Sequence, residues 1–404
     1  MKHITGTAKD LILIGNLRSR NLRKFSIPDL WYLLGTFKNE KLTKVNGKYV
    51  LNTFLPPFPS ASFEQFIKNT IAAKNHNIFP YSSYVALTNN CKFNCWHCSR
   101  GFREGNELTG ENWINVMHEL QNLGVSIIGY TGGEPLCRDD LEAIVGSVSL
   151  NSTTILFTTG DGLTLERAKK LKESGLFYIA ISLDHYNKDE HNRLRGSSSA
   201  FDTAVSAIEN SIACGFYTAV QLTVRRDFLN KNDMDKYIEF VHSLGVCEIR
   251  IIEPMPTGLL IEKEEDVFLN EAEREFIKNY HVKINKDKNL PKIASFAYLE
   301  DASLYGCGAG TQHLYIDSCG NMCPCDFTPL SFGNVIREGF GSAYSNLRKY
   351  FDVPQSKCFI LNNMDKIKAG FNGKLPIENH KSIELCSGCV KTKAPEFYRK
   401  LWKK

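Results

Sequence analysis

From about residue 82 to residue 260 the chain alternates apolar, β-branched runs with amphipathic ones, and this rhythm restricts the folds open to it. The strand-like runs are "SYVALT", "VSIIGYT", "TTILFTT", "FYIAISL", "YTAVQLTV" and "CEIRII". Between them lie helical patterns such as "GENWINVMHELQNLG", "DDLEAIVGSV", "LERAKKLKESG", "FDTAVSAIENSIACG" and "DMDKYIEFVHSLG". Several of these end at glycine, the usual helix stop. Strands separated by helices predict parallel βα units and an α/β fold. A partial (β/α)6 TIM-like barrel is the expected closure, with an open doubly wound sheet as the alternative.

Residues 1–80 read as an N-terminal helical extension, 81–260 as the core barrel, and 261–404 as a cysteine-rich C-terminal domain. In the extension, "IPDLWYLLGTF" predicts a helix with an apolar face. Arg18, Arg20, Arg23, Lys24 and Lys38 flank it. They read either as solvated surface or as a face for an acidic substrate, a leader peptide or membrane headgroups. "FLPPFPSASFEQF" reads as an extended linker, because proline disfavours helix in the residue before it. Beyond residue 260 the rhythm stops, and "KEEDVFLNEAEREFIKNY" is a helix-like stretch leading into the cysteine-rich tail.

The 404 residues carry a formal net charge of only +5, so no nucleic-acid partner is expected. No apolar run approaches the roughly 20 residues of a membrane span, and "MKHITGTAKDLILIGNLRSR" lacks a signal-peptide pattern. A cytoplasmic location is therefore expected, where thiols stay reduced. There, thirteen cysteines suggest metal ligands rather than disulfides.

Polar or special residues follow each strand: "NNCKFNCWHC", "GGEP", "GDG", an Asp-His pair, "RR" and "EPMPTG". In a parallel barrel these ends converge on one face, where active sites are built. "CKFNCWHC" places Cys91, Cys95 and Cys98 on the first of these loops. Three thiolates suit three irons of a [4Fe–4S] cube, leaving the fourth open to a small molecule. Zinc, with His97 as a fourth ligand, is the competing reading, as is a set of unliganded thiols.

The loop of Cys91, Cys95 and Cys98 after a first barrel strand resembles the cluster motif of radical S-adenosylmethionine (radical SAM) enzymes, over about residues 82–260. The resemblance implies that the open iron is chelated by SAM, whose reductive cleavage yields a 5′-deoxyadenosyl radical that abstracts hydrogen from a substrate. "TGGEPL", with Gly132, Gly133 and Glu134, is similar to the family's motif for the SAM amino group. Glycines let backbone approach a ligand closely, and a carboxylate accepts from an ammonium. "ISLDHYNKDEHNRLRG" resembles the fourth-strand segment, where Ser182 and Arg195 match positions that hold the SAM ribose or carboxylate. Asp184 has no assigned role. Thr159 stands where the family often has Asn, which weakens any specific polar role for it. His97 matches a position near the adenine, and "IIEPMPTG" a turn in the same region. No protein side chain is assigned as catalytic.

In the tail, Cys307, twelve residues, Gly320, four residues and Cys325 form a defined spacing, and "LYIDSCGNMCPC" reads as a hairpin. With "FGNV" and "CSGC", the region is similar to the SPASM and twitch extensions of radical SAM enzymes, which carry auxiliary iron–sulfur clusters. One auxiliary [4Fe–4S] cluster is implied, on four of Cys307, Cys325, Cys358, Cys386 and Cys389, with structural zinc as the alternative. Cys319 and Cys323 read as spare thiols, alternative ligands or a hydrogen donor, and Cys137, Cys214 and Cys247 as core residues.

The expected function is radical SAM chemistry on a peptide or protein, fed by an electron donor such as flavodoxin or ferredoxin. The same chemistry on a small metabolite (a sugar, lipid or tetrapyrrole intermediate) is the alternative. A non-catalytic iron–sulfur or zinc protein is the distant one.

Overall fold

The computed structural model describes residues 3–18 and 27–402. All six expected strands form, as β4 (Ser82–Thr88), β5 (Ile127–Gly132), β6 (Thr153–Thr158), β7 (Tyr178–Ser182), β8 (Tyr217–Thr223) and β9 (Glu248–Ile252). They pair in parallel and in sequence order. Their runs are predominantly apolar and β-branched because both faces are covered. The fold is mixed α/β with a largely parallel sheet, the partial-barrel architecture expected from the rhythm.

The intervening helices begin at side-chain caps: Thr109, Thr164 and Asn230 each accept from a backbone N–H three residues on. Gly124, Gly175, Gly215 and Gly245 follow the ends of four of them with positive φ. Trp113, Val116, Met117 and Leu120 of the helix Gly110–Asn122 bury fully against the sheet.

The sheet runs past residue 260. Strand β10 (Lys292–Ser295) adds in parallel to β9, and β11 (His313–Ile316) adds in parallel to β4. A division at residue 260 therefore cuts a continuous sheet. The expected hairpin forms from β11 and β12 (Met322–Cys323), with Gly320 at φ 85° in its turn. The helix expected over 263–280 starts later, at Glu271, where Asn270 and Glu273 close a reciprocal capping box.

The helix expected near residue 27 is present as Ile27–Thr36. Arg20, Arg23 and Lys24 lie outside the described residues, as does the side chain of Arg18. Strands β1 (His3–Ile4), β2 (Leu42–Val45) and β3 (Lys48–Val50) form a separate small sheet. The proline-rich stretch is not a linker. Its N-terminal part packs beneath the barrel, with Leu55 and Phe58 buried, and the helix Ala61–Lys74 starts within the rest. Thr53 donates through N and Oγ1 to Glu248 of β9, and Tyr178 donates to the Leu55 carbonyl. Proline suits such a buried strap because it brings no N–H that must be satisfied. The C-terminal helix Glu396–Trp402 packs back on this extension through Phe397, Tyr398 and Leu401.

Candidate active site

The cysteine loop lies over the C-terminal ends of the parallel strands, and three turns remote in sequence clamp it. At the first, Gly133 N donates to Thr88 O and Glu134 N to Asn90 O, each at 2.7 Å. At the second, Asn94 N donates to Arg195 O and Trp96 N to Leu194 O. At the third, Leu259 N donates to Cys98 O at 3.0 Å. A glycine sits at each clamp. A Cβ on Gly133, Gly196 or Gly258 would collide with the carbonyl of Asn90, Asn94 or Cys98 respectively. Each thiol-bearing segment is thus fixed by backbone that approaches too closely for any side chain. An added Cβ would meet Thr88 O from Gly132 and Asn90 O from Gly133, so both glycines of "TGGEP" are needed for this backbone packing.

Glu134 also differs from expectation. Its carboxylate is buried. Oε1 accepts from Leu136 N and Thr158 Oγ1, and Oε2 accepts from Thr159 N and Oγ1, at 2.6–3.1 Å. Burial pushes the carboxyl up, and these four donors oppose that shift. With two donors on each oxygen, Glu134 ties the end of β6 to the β5 turn. Thr159, whose polar role was discounted, supplies two of the four bonds.

Cys91, Cys95 and Cys98 line one recess of about 1130 Å³ together with Gly132, Gly133, His97, Ser182 and Arg195. The expected set is therefore brought together, except Glu134, which stands behind the wall. Arg195 is not a free fork. Its Nε lies 2.7 Å from Asp184 Oδ2, a close contact not aligned as a hydrogen bond, and Nη1 points at Cys95 Sγ from 3.7 Å. Asp184, left without a role by the sequence, also accepts from Thr223 N. Burial raises its carboxyl, but Arg195 and the imidazoles of His97 and His191 outweigh that and hold it below the usual carboxylate value. A depressed carboxyl contributes stability that is complete above its ordinary pKa of 3.8 and is lost as the pH falls through the folded value. Asp184→Asn, which leaves a buried guanidinium uncompensated, should destabilise the fold by about 3–5 kcal/mol at neutral pH. In chemical denaturation the gap from wild type should narrow on acidification below pH 3.8; a gap independent of pH would contradict the pairing.

The residues of the recess fit an iron–sulfur cluster and a polar organic ligand. Burial pushes Cys91 up to about 11 and also raises Cys95, so both await a cation to become thiolates. Three thiols that share one recess suit three corners of a cubic cluster. His97 Nε2 lies 3.2 Å from Thr223 Oγ1, while its Nδ1 and the hydroxyl of Thr257 are buried in the recess with no partner among the described residues. Burial lowers His97 to about 4, so the imidazole is neutral. Orphaned buried polar atoms are the complement a bound ligand would satisfy.

Of the tail cysteines, Cys307, Cys325 and Cys358 line a second cavity of about 1760 Å³, and the thiols of Cys307 and Cys358 touch. Cys386 and Cys389 contact each other and line neither cavity. Cys323 is fully buried and Cys319 partly so. Of the three expected core cysteines only Cys247 is buried. Cys137 is exposed on the turn after Glu134, and Cys214 is half-buried at a helix end.

The family models for the radical SAM superfamily and for the SPASM iron–sulfur cluster-binding domain match residues 85–241 and 307–390 respectively. The AdoMet-dependent heme synthase of Methanosarcina barkeri is 26% identical over 332 residues, 75% of this chain and 89% of its own. The mycofactocin maturase MftC of Mycolicibacterium smegmatis is 28% identical over 303 residues, 70% of this chain and 76% of its own. In fold, the chain is similar to Streptococcus suis SuiB bound to the precursor peptide SuiA, with a TM-score of 0.57 and 17% identity, covering 69% of this chain and 68% of that one. Among the described residues no helix is long and apolar enough to cross a membrane. The chain belongs to the radical SAM superfamily, and is an enzyme with a SAM-binding [4Fe–4S] cluster and a SPASM domain for auxiliary iron–sulfur chemistry.

Proposed function

We propose that this enzyme abstracts hydrogen from a peptide or protein held between two iron–sulfur centres. Cys91, Cys95 and Cys98 hold the SAM-binding cluster. Gly132, Gly133, Ser182, Arg195 and His97 wall the SAM site, and Cys307, Cys325 and Cys358 hold the auxiliary cluster. Cluster and SAM together supply a 5′-deoxyadenosyl radical, one-electron chemistry that side chains lack. A flavodoxin or ferredoxin provides the electron. The barrel's own residues position the loop, satisfy the cofactor's polar atoms and exclude water.

The carrying observation is adjacency. Tyr84, Met255, Phe296, Asp326 and Phe327 line both the recess of the cysteine loop and the second cavity, which bears the tail thiols. A substrate seated at that shared wall would lie beside both sets of thiols. The second cavity is walled mainly by aromatic and aliphatic side chains, Phe54, Phe63, Phe66 and Tyr398 among them, which suits an apolar side chain entering it. Similarity to a maturase, MftC, and a fold shared with SuiB, solved with a precursor peptide, support a peptide. The same apolar chamber, with similarity to a heme synthase, supports the second reading, a small apolar metabolite.

The test is isotopic. Peptide and small-molecule fractions from deuterated cells are supplied separately to reconstituted enzyme, SAM and reductant, and deuterium in 5′-deoxyadenosine is measured. Label arriving from the peptide fraction is expected. Label arriving only from the small-molecule fraction would overturn the peptide reading.

A further inference from the structure

We propose that the auxiliary cluster is held by three thiolates and one carboxylate, Cys307, Cys325, Cys358 and Glu300, with the Cys386–Cys389 pair outside its ligand set. This rests on reading the tail thiols as cluster ligands.

Backbone bonds bring the four segments to one cavity. Tyr305 N donates to Leu299 O and Gly306 N to Asp301 O, closing a loop with Glu300 at one foot and Cys307 at the other. Cys307 and Gln355 exchange both backbone bonds, at 2.7 and 3.0 Å, which lays the segment leading to Cys358 alongside. Gly310 N donates to Pro324 O at 2.7 Å and draws in Cys325. All four side chains line the same cavity.

The chemistry singles out Glu300 among the carboxylates of that cavity. Asp326 faces His313 at 3.2 Å, and Glu40 contacts His281 and Asn52. The Glu300 carboxylate makes no hydrogen bond or ion pair among the described residues, and Arg274, the cation that acts on it, is itself paired with Glu253. A buried carboxylate without a paired counter-charge is unfavourable, and iron would supply that charge. Its oxygen completes a set that otherwise stops at three thiols. Cys386 and Cys389 are engaged elsewhere: they contact each other, and Lys366 bonds the Gly388 carbonyl between them.

The test uses the full chain with Cys91, Cys95 and Cys98 changed to Ala, so that only the auxiliary cluster remains, reconstituted anaerobically. Iron content and electron paramagnetic resonance of the oxidised protein are the readouts. The parent should hold about four irons. Glu300→Ala should fall to about three and show the resonance of a three-iron cluster, whereas Glu300→Cys should keep about four without it. Cys386→Ala/Cys389→Ala should match the parent. An unchanged Glu300→Ala spectrum, iron loss in both Glu300 variants, or iron loss on removing the Cys386–Cys389 pair overturns the carboxylate ligand. A parent without iron overturns the auxiliary-cluster reading as well.

Discussion

Cys95→Ala should abolish formation of 5′-deoxyadenosine from SAM and reductant while leaving roughly half of the iron in place, given two four-iron clusters. Cys95 is the buried member of the loop's three cysteines, and the residues on either side of it are bonded to the end of the helix Lys188–Arg195. A neighbouring thiol cannot take its place without breaking those bonds. The remaining iron is expected because Cys307, Cys325 and Cys358 lie in a different cavity, held by their own backbone bonds. The measurement is anaerobic turnover, with quantified 5′-deoxyadenosine and iron per chain. SAM cleavage by Cys95→Ala at the wild-type rate would remove the basis for placing the radical cluster on this loop. Complete loss of iron would mean that the tail holds none.

The strands and most helices of the barrel were legible because burial on both faces forces apolar, β-branched runs, and helix caps are local signals. What failed was long-range. Strands β10 and β11 have four residues each and join the sheet by backbone pairing, which no side-chain pattern announces at that length. The helix Lys188–Arg195 is strongly polar because it covers little core, so it read only as part of a motif. The strap around Leu55 and Phe58 reads as a linker because its proline signals describe local conformation and say nothing of what packs on it. In the site, residue types were readable but partners were not. Glu134 is named by its motif, yet its saturation by Thr158 and Thr159 depends on a neighbouring strand. Asp184 looked idle because its partner, Arg195, lies across a turn and a helix. The clamp glycines show the same limit. "GGEP" stands out by itself, but Gly196 and Gly258 gain meaning only once the loop they touch is in place.

Those glycines yield the second large effect. Gly258 has φ +54°, and an added Cβ would run into the carbonyl of Cys98 itself. Alanine there carries the left-handed penalty of about 1–2 kcal/mol. The carbonyl must also move, and Cys98 moves with it. A displacement near 1 Å at a positioning element lowers turnover by about 10²-fold. Gly258→Ala should therefore lose iron from the radical cluster and show 5′-deoxyadenosine formation reduced by about that factor. Gly175→Ala separates this from backbone strain. Gly175 has φ +98°, ends a barrel helix far along the chain from any cluster cysteine, and has nothing within 4 Å of the added Cβ. It should lose comparable stability in thermal unfolding yet cleave SAM as the wild type does. If Gly175→Ala and Gly258→Ala lost iron and activity equally, the clamp would be no more than a generic turn. If only Gly258→Ala does so, the cysteine loop owes its geometry to backbone that reaches it from the end of the sixth barrel strand.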